Sequence, residues 1–506
     1  MNSSTTYLIL VGIGLISKVF GFFRETALAA LFGSTAETDA YFVAITIPMI
    51  LPALIGASLT TNFIPMMQRI EAERGRDAWN DFANNIFNIT TAFLLITGLL
   101  GALCNEQIVH WMSPGFSPQN AALATQLSYI TMPVLIFSGL ITFTIGVYHS
   151  QHSFIIPAVF LLTLNIMILT TLFLAARYGI IWLAAGYTLG IALQCIFQWS
   201  LLGRVGYRWR WIFRLNDPDF LKMLRLCGPV AVASTVTQIN MWVDRMLGSG
   251  LPPGGISGLY YGERLNTTLH SILVLTMATM LFPAMSRQIA EGREDKFRDM
   301  FRKGCSFILF ISLPMTAFCS YYSEDIIRLV FMRGAFDVQA VAMTTGALLF
   351  LTLGLPALGI VELTNRAFYS LQDTKSPLLV STIAIGSNVL LSLLLITPLQ
   401  QKGLALAASL ATSFQAVGLI VLLHKKKAGL FTRQWLISLG FLSGVAFVGI
   451  ALVHMLQFPQ WWQGLLAYGI FYSIGAWQLS CVRELGIKVR LQHLVEQFAI
   501  DRGSKK

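Results

Sequence analysis

Fourteen mostly apolar stretches divide this chain and leave it few ways to fold. The first seven run over 7–32, 41–67, 84–105, 122–149, 154–176, 180–202 and 226–247. The rest fall at 258–285, 304–322, 338–368, 377–398, 403–423, 434–456 and 461–482. Each is close to or above the roughly 20 residues an α-helix needs to cross a bilayer's hydrocarbon core. In that core a backbone N–H or C=O finds no water, so a spanning segment must bond itself, as a helix does. Charged residues are 12% of the 506, about half the ~25% of soluble domains. The expected fold class is an all-α polytopic membrane protein with about 14 transmembrane helices, and one large soluble core is excluded.

The net charge of +11 raises nucleic acid as a partner, but the placement of the charge argues against it. With the N-terminus inside, 26 of the 35 Lys and Arg lie in loops and a tail on the side of the termini. Four, Arg177, Arg328, Arg333 and Lys402, lie in loops on the opposite side, and five lie within spans. This is the positive-inside pattern, with both termini cytoplasmic, and it suits membrane lipids better than nucleic acid. Trp209, Trp211, Trp461 and Trp462 fit an aromatic belt at the membrane surface. Six scattered cysteines show no metal-ligand spacing and read as small apolar residues or inert thiols. Met1–Thr6 lacks a basic leader region, so the first apolar stretch is expected to stay as a span.

The chain repeats itself. Pro65, Met67, Arg69, Glu73, Asp77 and Asp81 recur as Pro283, Met285, Arg287, Glu291, Asp295 and Asp299, at a constant offset of 218. A weaker echo pairs Asn165 with Asn388. Six spans separate the copies, so the halves share an orientation and form a parallel repeat about the membrane normal. The expected division is an N-lobe at 1–203, a basic linker at 204–225 and a C-lobe at 226–424. Two extra spans at 425–482 and a cytoplasmic tail at 483–506 complete it. Each repeat copy should end a span and enter an amphipathic loop. Pro48, Pro52 and Pro65 should bend or break the second span. Gly248–Gly255 reads either as a hinge or as an ordinary turn.

Ionised side chains at membrane depth cost a few kcal/mol each and persist where they meet a partner, a wet cavity or a ligand. The first half places Lys18, Arg24, Glu25 and Asp39 in or beside its opening spans. The second half places Asp244, Arg245, Glu263, Arg264, Glu362 and Arg366. Arginine stays protonated, and its forked donors match phosphate oxygens bidentately. Inward-facing Arg24, Arg245 and Arg264 would therefore suit a diphosphate. Lys18 and Glu25 share a helix face and could instead neutralise each other, as could Glu362 and Arg366. Asp244 with Asn388 could supply oxygen ligands to a coupling cation. No other cofactor or metal is expected.

Several separated motifs resemble the MurJ/MviN family of lipid II flippases, within the multidrug/oligosaccharidyl-lipid/polysaccharide exporter superfamily. They are Gly21-Phe-Phe-Arg-Glu25, Phe32-Gly33, Thr38-Asp-Ala-Tyr-Phe42 and Ser113-Pro-Gly-Phe116. Tyr260-Tyr-Gly-Glu-Arg-Leu265, Phe331-Met-Arg-Gly-Ala-Phe336 and Phe368-Tyr-Ser-Leu-Gln-Asp-Thr-Lys-Ser-Pro377 complete the set, over roughly residues 10–425. The resemblance implies a bacterial inner-membrane protein with two lobes around a cationic cavity and alternating access. It also implies a lipid-tail groove at the two extra spans. It carries over Lys18, Arg24, Asp39, Glu263 and Arg264, and cell-wall synthesis proteins become the expected protein partners. After Pro48 the chain departs from the family, because Met49 stands where asparagine is common, and Pro52 and Ala57 stand where a basic and an acidic residue are common.

The function expected is export of a polyprenyl-diphosphate-linked saccharide, lipid II first, from the inner to the outer leaflet, without covalent chemistry. Lys18, Arg24, Arg264 and Arg245 would hold the diphosphate. Asp39, Glu25 and Glu263 would form gating or local ion pairs. Membrane potential or a cation would drive transport. Export of another lipid-linked oligosaccharide is the alternative. A membrane transferase or polymerase would need larger external loops. A drug/cation antiporter would favour an acidic cavity.

Overall fold

The structure is a computed structural model that describes residues 3–271, 276–427, 429–430, 433–456, 458 and 460–478. All regular elements among them are helical. By contact the chain divides into two units, Met1–Gly258 with Val330–Val341, and Leu259–Leu329 with Ala342–Lys506. This contact boundary falls at Gly258, whereas the division expected from the repeat falls at 204–225. The first traces packing and the second traces chain duplication.

The first unit opens with α1 (Ser3–Phe32), α2 (Ala36–Thr46), α3 (Ile50–Ser58), α4 (Ile64–Leu103) and α5 (Asn105–Met112). It continues with α6 (Pro118–Thr131), α7 (Val134–Ser150), α8 (Ile155–Tyr178), α9 (Ile181–Ser200) and α10 (Pro218–Gly248). The first turn of α11 (Gly255–His270) closes it. Its largest core packs Phe63, Met67, Trp79, Phe143 and Tyr148, with Arg76 stacked 3.9 Å over the Trp79 ring. α1 packs along α8, and outward it shows Leu15, Val19, Phe20 and Phe23, an apolar stripe suited to lipid.

The second unit holds the rest of α11, then α12 (Thr276–Ala290), α13 (Glu294–Tyr321), α14 (Ser323–Phe331) and α15 (Val338–Leu353). After these come α16 (Leu355–Ser370), α17 (Lys375–Leu399), α18 (Gln401–Lys426), α19 (Arg433–Leu456) and α20 (Trp461–Gln478). Phe297, Phe301, Leu363, Phe368 and Leu419 form its main core. The late helices dock on α13, through Trp435 Nε1 donating to Ser306 at 2.8 Å and Tyr472 Oη donating to the Phe310 carbonyl at 2.9 Å. Asp373, in the turn before α17, meets the Lys426 ammonium and takes the Ser376 N–H at 3.0 Å and hydroxyl at 2.6 Å. Burial alone would raise its pKa, but these donors hold it down at about 2.

Eight stretches among the described residues are long and apolar enough to cross a membrane, or nine when α15 and α16, bent by 44°, count together. One stretch, Ala36–Leu103, has 68 residues. Gly75, with φ 81° and ψ −175°, divides it into two parts, and each exceeds the roughly 20 residues that one crossing needs. The expected bending is visible in it. A 3₁₀ turn occupies Ile47–Met49 at Pro48, and a π turn occupies Leu59–Phe63 just before Pro65.

The amphipathic loop expected after Pro65 is instead helical. Ile70, Trp79 and Phe82 are buried, and α4 runs through them with a break at Gly75, where φ is 81°. The second repeat copy breaks in the same region, at Gly292 with φ 68° between α12 and α13.

Candidate functional site

Arg24 stands two-thirds along α1 with its side chain 15% exposed. Its Nη2 meets Glu25 Oε1 at 2.6 Å and its Nη1 donates to Asn165 Oδ1 on α8 at 3.0 Å. Asn165 in turn donates from Nδ2 to the Ser17 carbonyl at 3.4 Å, bridging two turns of α1. Glu25 is buried and pairs with the adjacent arginine. Long side chains let neighbouring residues meet although their Cβ atoms diverge by about 100°. Lys18 stands exposed on the same helix. The chemistry is that of a poised cation. Arg24 holds its charge, Glu25 balances it, and a diphosphate could take the carboxylate's place on the guanidinium fork.

Asp39 lies in the first turn of α2, a helix capped by Thr35 accepting the Thr38 N–H. Its carboxylate is buried and reaches the start of α11. Oδ2 accepts the Gly254 N–H at 2.7 Å, and Oδ1 accepts both the Ser257 N–H and hydroxyl at 2.7 Å. A carboxylate at a helix N-terminus satisfies orphan donors and complements the helix dipole. Ser34 Oγ adds a bond to the Gly254 carbonyl at 2.7 Å. Arg245, buried in the last turn of α10, lies within electrostatic reach of Asp39. Its neighbour Asp244 is half-buried and accepts from Asn240 at 3.3 Å.

Further contacts converge on this clamp. The Gly115 N–H donates to Ser249 Oγ at 3.0 Å, and the Ala335 N–H donates to the Ala30 carbonyl at 2.7 Å. Gly33 and Gly334 have φ of 63° and 56°. A Cβ on Gly33 would strike the Ala335 carbonyl, and one on Gly334 would strike that of Ala30. Three motifs far apart in sequence thus meet at one end of the first unit, together with the glycine-rich turn at 248–255. Sequence spacing gave no sign of that meeting.

In the second unit Arg264 is exposed, with Nε donating to Tyr260 Oη at 2.9 Å and Cζ 5.0 Å from that ring's centre. Glu263 beside it is half-buried. Glu362 and Arg366 pair with each other at 3.6 Å along α16. Asn388 is buried on α17, the counterpart of Asn165 on α8. Among the described residues no three His, Cys, Asp or Glu gather as a metal centre would require. Cys481 and the basic tail lie outside the described residues. Sequence reasoning noted Asn165 only as a repeat echo and missed Gly254, Ser257 and Tyr260 as partners. An amide in the middle of the apolar run 154–176 was the available signal for Asn165.

Residues 28–476 match the model of the family described as lipid II flippase MurJ. The chain belongs to the lipid II flippase MurJ family. With its many apolar helices, this MurJ-family chain is an integral inner-membrane protein of a transporter family. A Rhizobium tropici protein named as a probable lipid II flippase MurJ is 28% identical over 435 residues, covering 84% of this chain and 81% of the relative. A solved lipid II flippase MurJ in an inward closed conformation matches with a TM-score of 0.82 at 24% identity, over 93% of this chain and 98% of that one. An inward-facing multidrug resistance MATE family transporter matches at 0.70 and 12% identity, over 84% of this chain and 98% of that one. Both likenesses speak for the fold.

Proposed function

We propose that this chain carries lipid II from the inner to the outer leaflet by alternating access, with both termini cytoplasmic. The observation that carries the reading is the Arg24 cluster. A guanidinium inside an apolar helix meets a carboxylate and an amide, partners that a diphosphate can displace or supplement. Arg24 takes the diphosphate in this reading, helped by Lys18 on the same helix. Arg264 has the same assignment, and its helix is the one whose first turn Asp39 caps. Asp39 acts as a gate, closed while it holds Gly254 and Ser257 and opened when it lets them go. Arg245 serves that gate as counter-charge. Substrate held at Arg264 thereby bears on the gate through the helix itself. The lipid-linked saccharide is the substrate, and proteins of cell-wall synthesis are the partners that would supply and consume it.

The test measures lipid II exposed at the outer leaflet in cells depleted of the native protein and supplied with variants. Arg24→Ala and Arg264→Ala should each abolish export while the protein remains folded in the membrane. Full export by both variants would remove the cationic-site reading. Normal lipid II export in depleted cells that lose another surface polysaccharide would replace the substrate.

A further inference from the structure

One polar construction in the first unit takes no part in the clamp or the Arg24 cluster. Asn80, Asn84, Asn85 and Asn88 lie along α4, and all four are buried. Their amides grip the backbone of Tyr207–Arg214, an irregular segment between α9 and α10. Asn80 accepts the Arg208 N–H at 2.9 Å and donates to its carbonyl at 2.7 Å. Asn84 accepts the Arg210 N–H at 2.9 Å and donates to the Arg208 carbonyl at 2.9 Å. Asn88 donates to the carbonyls of Arg210 at 3.1 Å and Ile212 at 2.9 Å. Asn85 both accepts from and donates to the Arg214 backbone, at 2.6 and 3.0 Å.

Alternate residues of the segment are thus strapped to the helix by main-chain bonds, so the strap does not depend on its own side chains. Apart from buried Tyr207, whose hydroxyl donates to Asn84 Oδ1 at 2.8 Å, those side chains are largely free to face outward. The strap reads Tyr-Arg-Trp-Arg-Trp-Ile-Phe-Arg. Trp209, Trp211 and Phe213 are 54%, 74% and 45% exposed, and Arg208, Arg210 and Arg214 are exposed between them. Arg210 reaches Asp81 at 3.3 Å, and Trp209 Nε1 reaches Asn88 at 3.3 Å. The strap follows directly on the apolar stretch Ile181–Val205, which places it at the edge of a bilayer. An extended backbone is tolerable there because the amides supply the bonds that water would otherwise make. Indole rings favour the headgroup level, and arginines near the surface favour anionic lipid.

We propose that the strap Tyr207–Arg214 is a docking surface for the phosphate headgroups of anionic glycerophospholipids. Interleaved rings and guanidinium groups beside the end of a span fit a lipid, whose headgroup and glycerol region they meet together. A soluble phosphate would use the guanidinium groups alone. The inference rests on the strap's place at the end of a span and does not require the flipping reading.

Full-length protein in detergent is titrated with phosphatidylglycerol or phosphatidylcholine, and bound lipid is counted by native mass spectrometry. The wild type should prefer phosphatidylglycerol by on the order of tenfold or more, since each basic residue at an anionic surface contributes a several-fold factor. Arg208→Gln/Arg210→Gln/Arg214→Gln keeps the backbone bonds of the strap and should lose that preference. The triple Lys variant should keep it. If the Gln variant does not fold, Trp209→Ala/Trp211→Ala serves in its place, with several-fold weaker phosphatidylglycerol binding expected. Equal phosphatidylglycerol binding by wild type and the folded Gln variant would overturn the proposal. So would displacement of the lipid by excess inorganic phosphate, or tighter binding of a short RNA at the same arginines. None of these readouts involves transport, so failure here leaves the flippase reading standing, and the reverse holds too.

Discussion

Asp39 concentrates control of the clamp in one carboxylate that receives three bonds of 2.7 Å. Removing the acceptor leaves the Gly254 and Ser257 donors buried without it, a cost on the order of 2–4 kcal/mol for charge-assisted bonds. Asp39→Ala should therefore open the clamp, and Asp39→Asn should open it part-way, since an amide keeps one acceptor oxygen. Thiol labelling of Ser34→Cys reports the change as faster modification in that order. Labelling rates unchanged in both variants would mean that the carboxylate does not hold the clamp shut. The ions of this site were legible in the sequence because an ionised residue in an apolar run is costly. Their partners were not legible. Arg24 meets Asn165 across 141 positions and Asp39 meets Ser257 across 218, and one-dimensional spacing says nothing about such contacts.

At the scale of elements, the Gly33–Gly334 interlock and the Asp373–Lys426 pair allow two contrasts. Gly334 and Gly292 both have positive φ, of 56° and 68°. Gly292 has open space around a would-be Cβ, whereas Gly334 faces the Ala30 carbonyl. Alanine at either position incurs about 1 kcal/mol of backbone strain, and at Gly334 a steric clash is added. The unfolding temperature should fall clearly further for Gly334→Ala than for Gly292→Ala. Equal falls would show that the close approach does not matter. Asp373 adds a pH dependence. Its folded-state pKa of about 2 lies below the ordinary 3.8, so its contribution is fully present above about pH 4 and is lost as pH falls towards 2. Thermal unfolding between pH 4 and 2 should show less loss in Asp373→Asn than in the wild type, and parallel curves would refute the pairing. The helices themselves were readable from apolar length. The helical course after Pro65 was not, because its charged residues suggested a loop while the buried Ile70, Trp79 and Phe82 held it in a helix.

For the whole molecule, the proposed orientation rests on the placement of 26 of 35 basic residues and is open to direct test. Arg293→Cys should resist a membrane-impermeant maleimide in intact spheroplasts and react after permeabilisation. Arg177→Cys should react in both, and the reverse pattern would invert the chain. The interlock of Ala30 and Gly33 with Gly334 and Ala335 also has a consequence for biosynthesis. The first unit includes Val330–Val341, so it cannot be complete when its first ten helices have been inserted. At ribosomal rates of ~5–20 residues per second, the end of α1 waits roughly 15–60 s for Ala335. During that interval the Ala30 carbonyl and Gly33 lack the contacts that Gly334 and Ala335 bring. The nascent chain then holds a polar, half-formed end, and whatever assists its insertion must shield that end until the second repeat arrives.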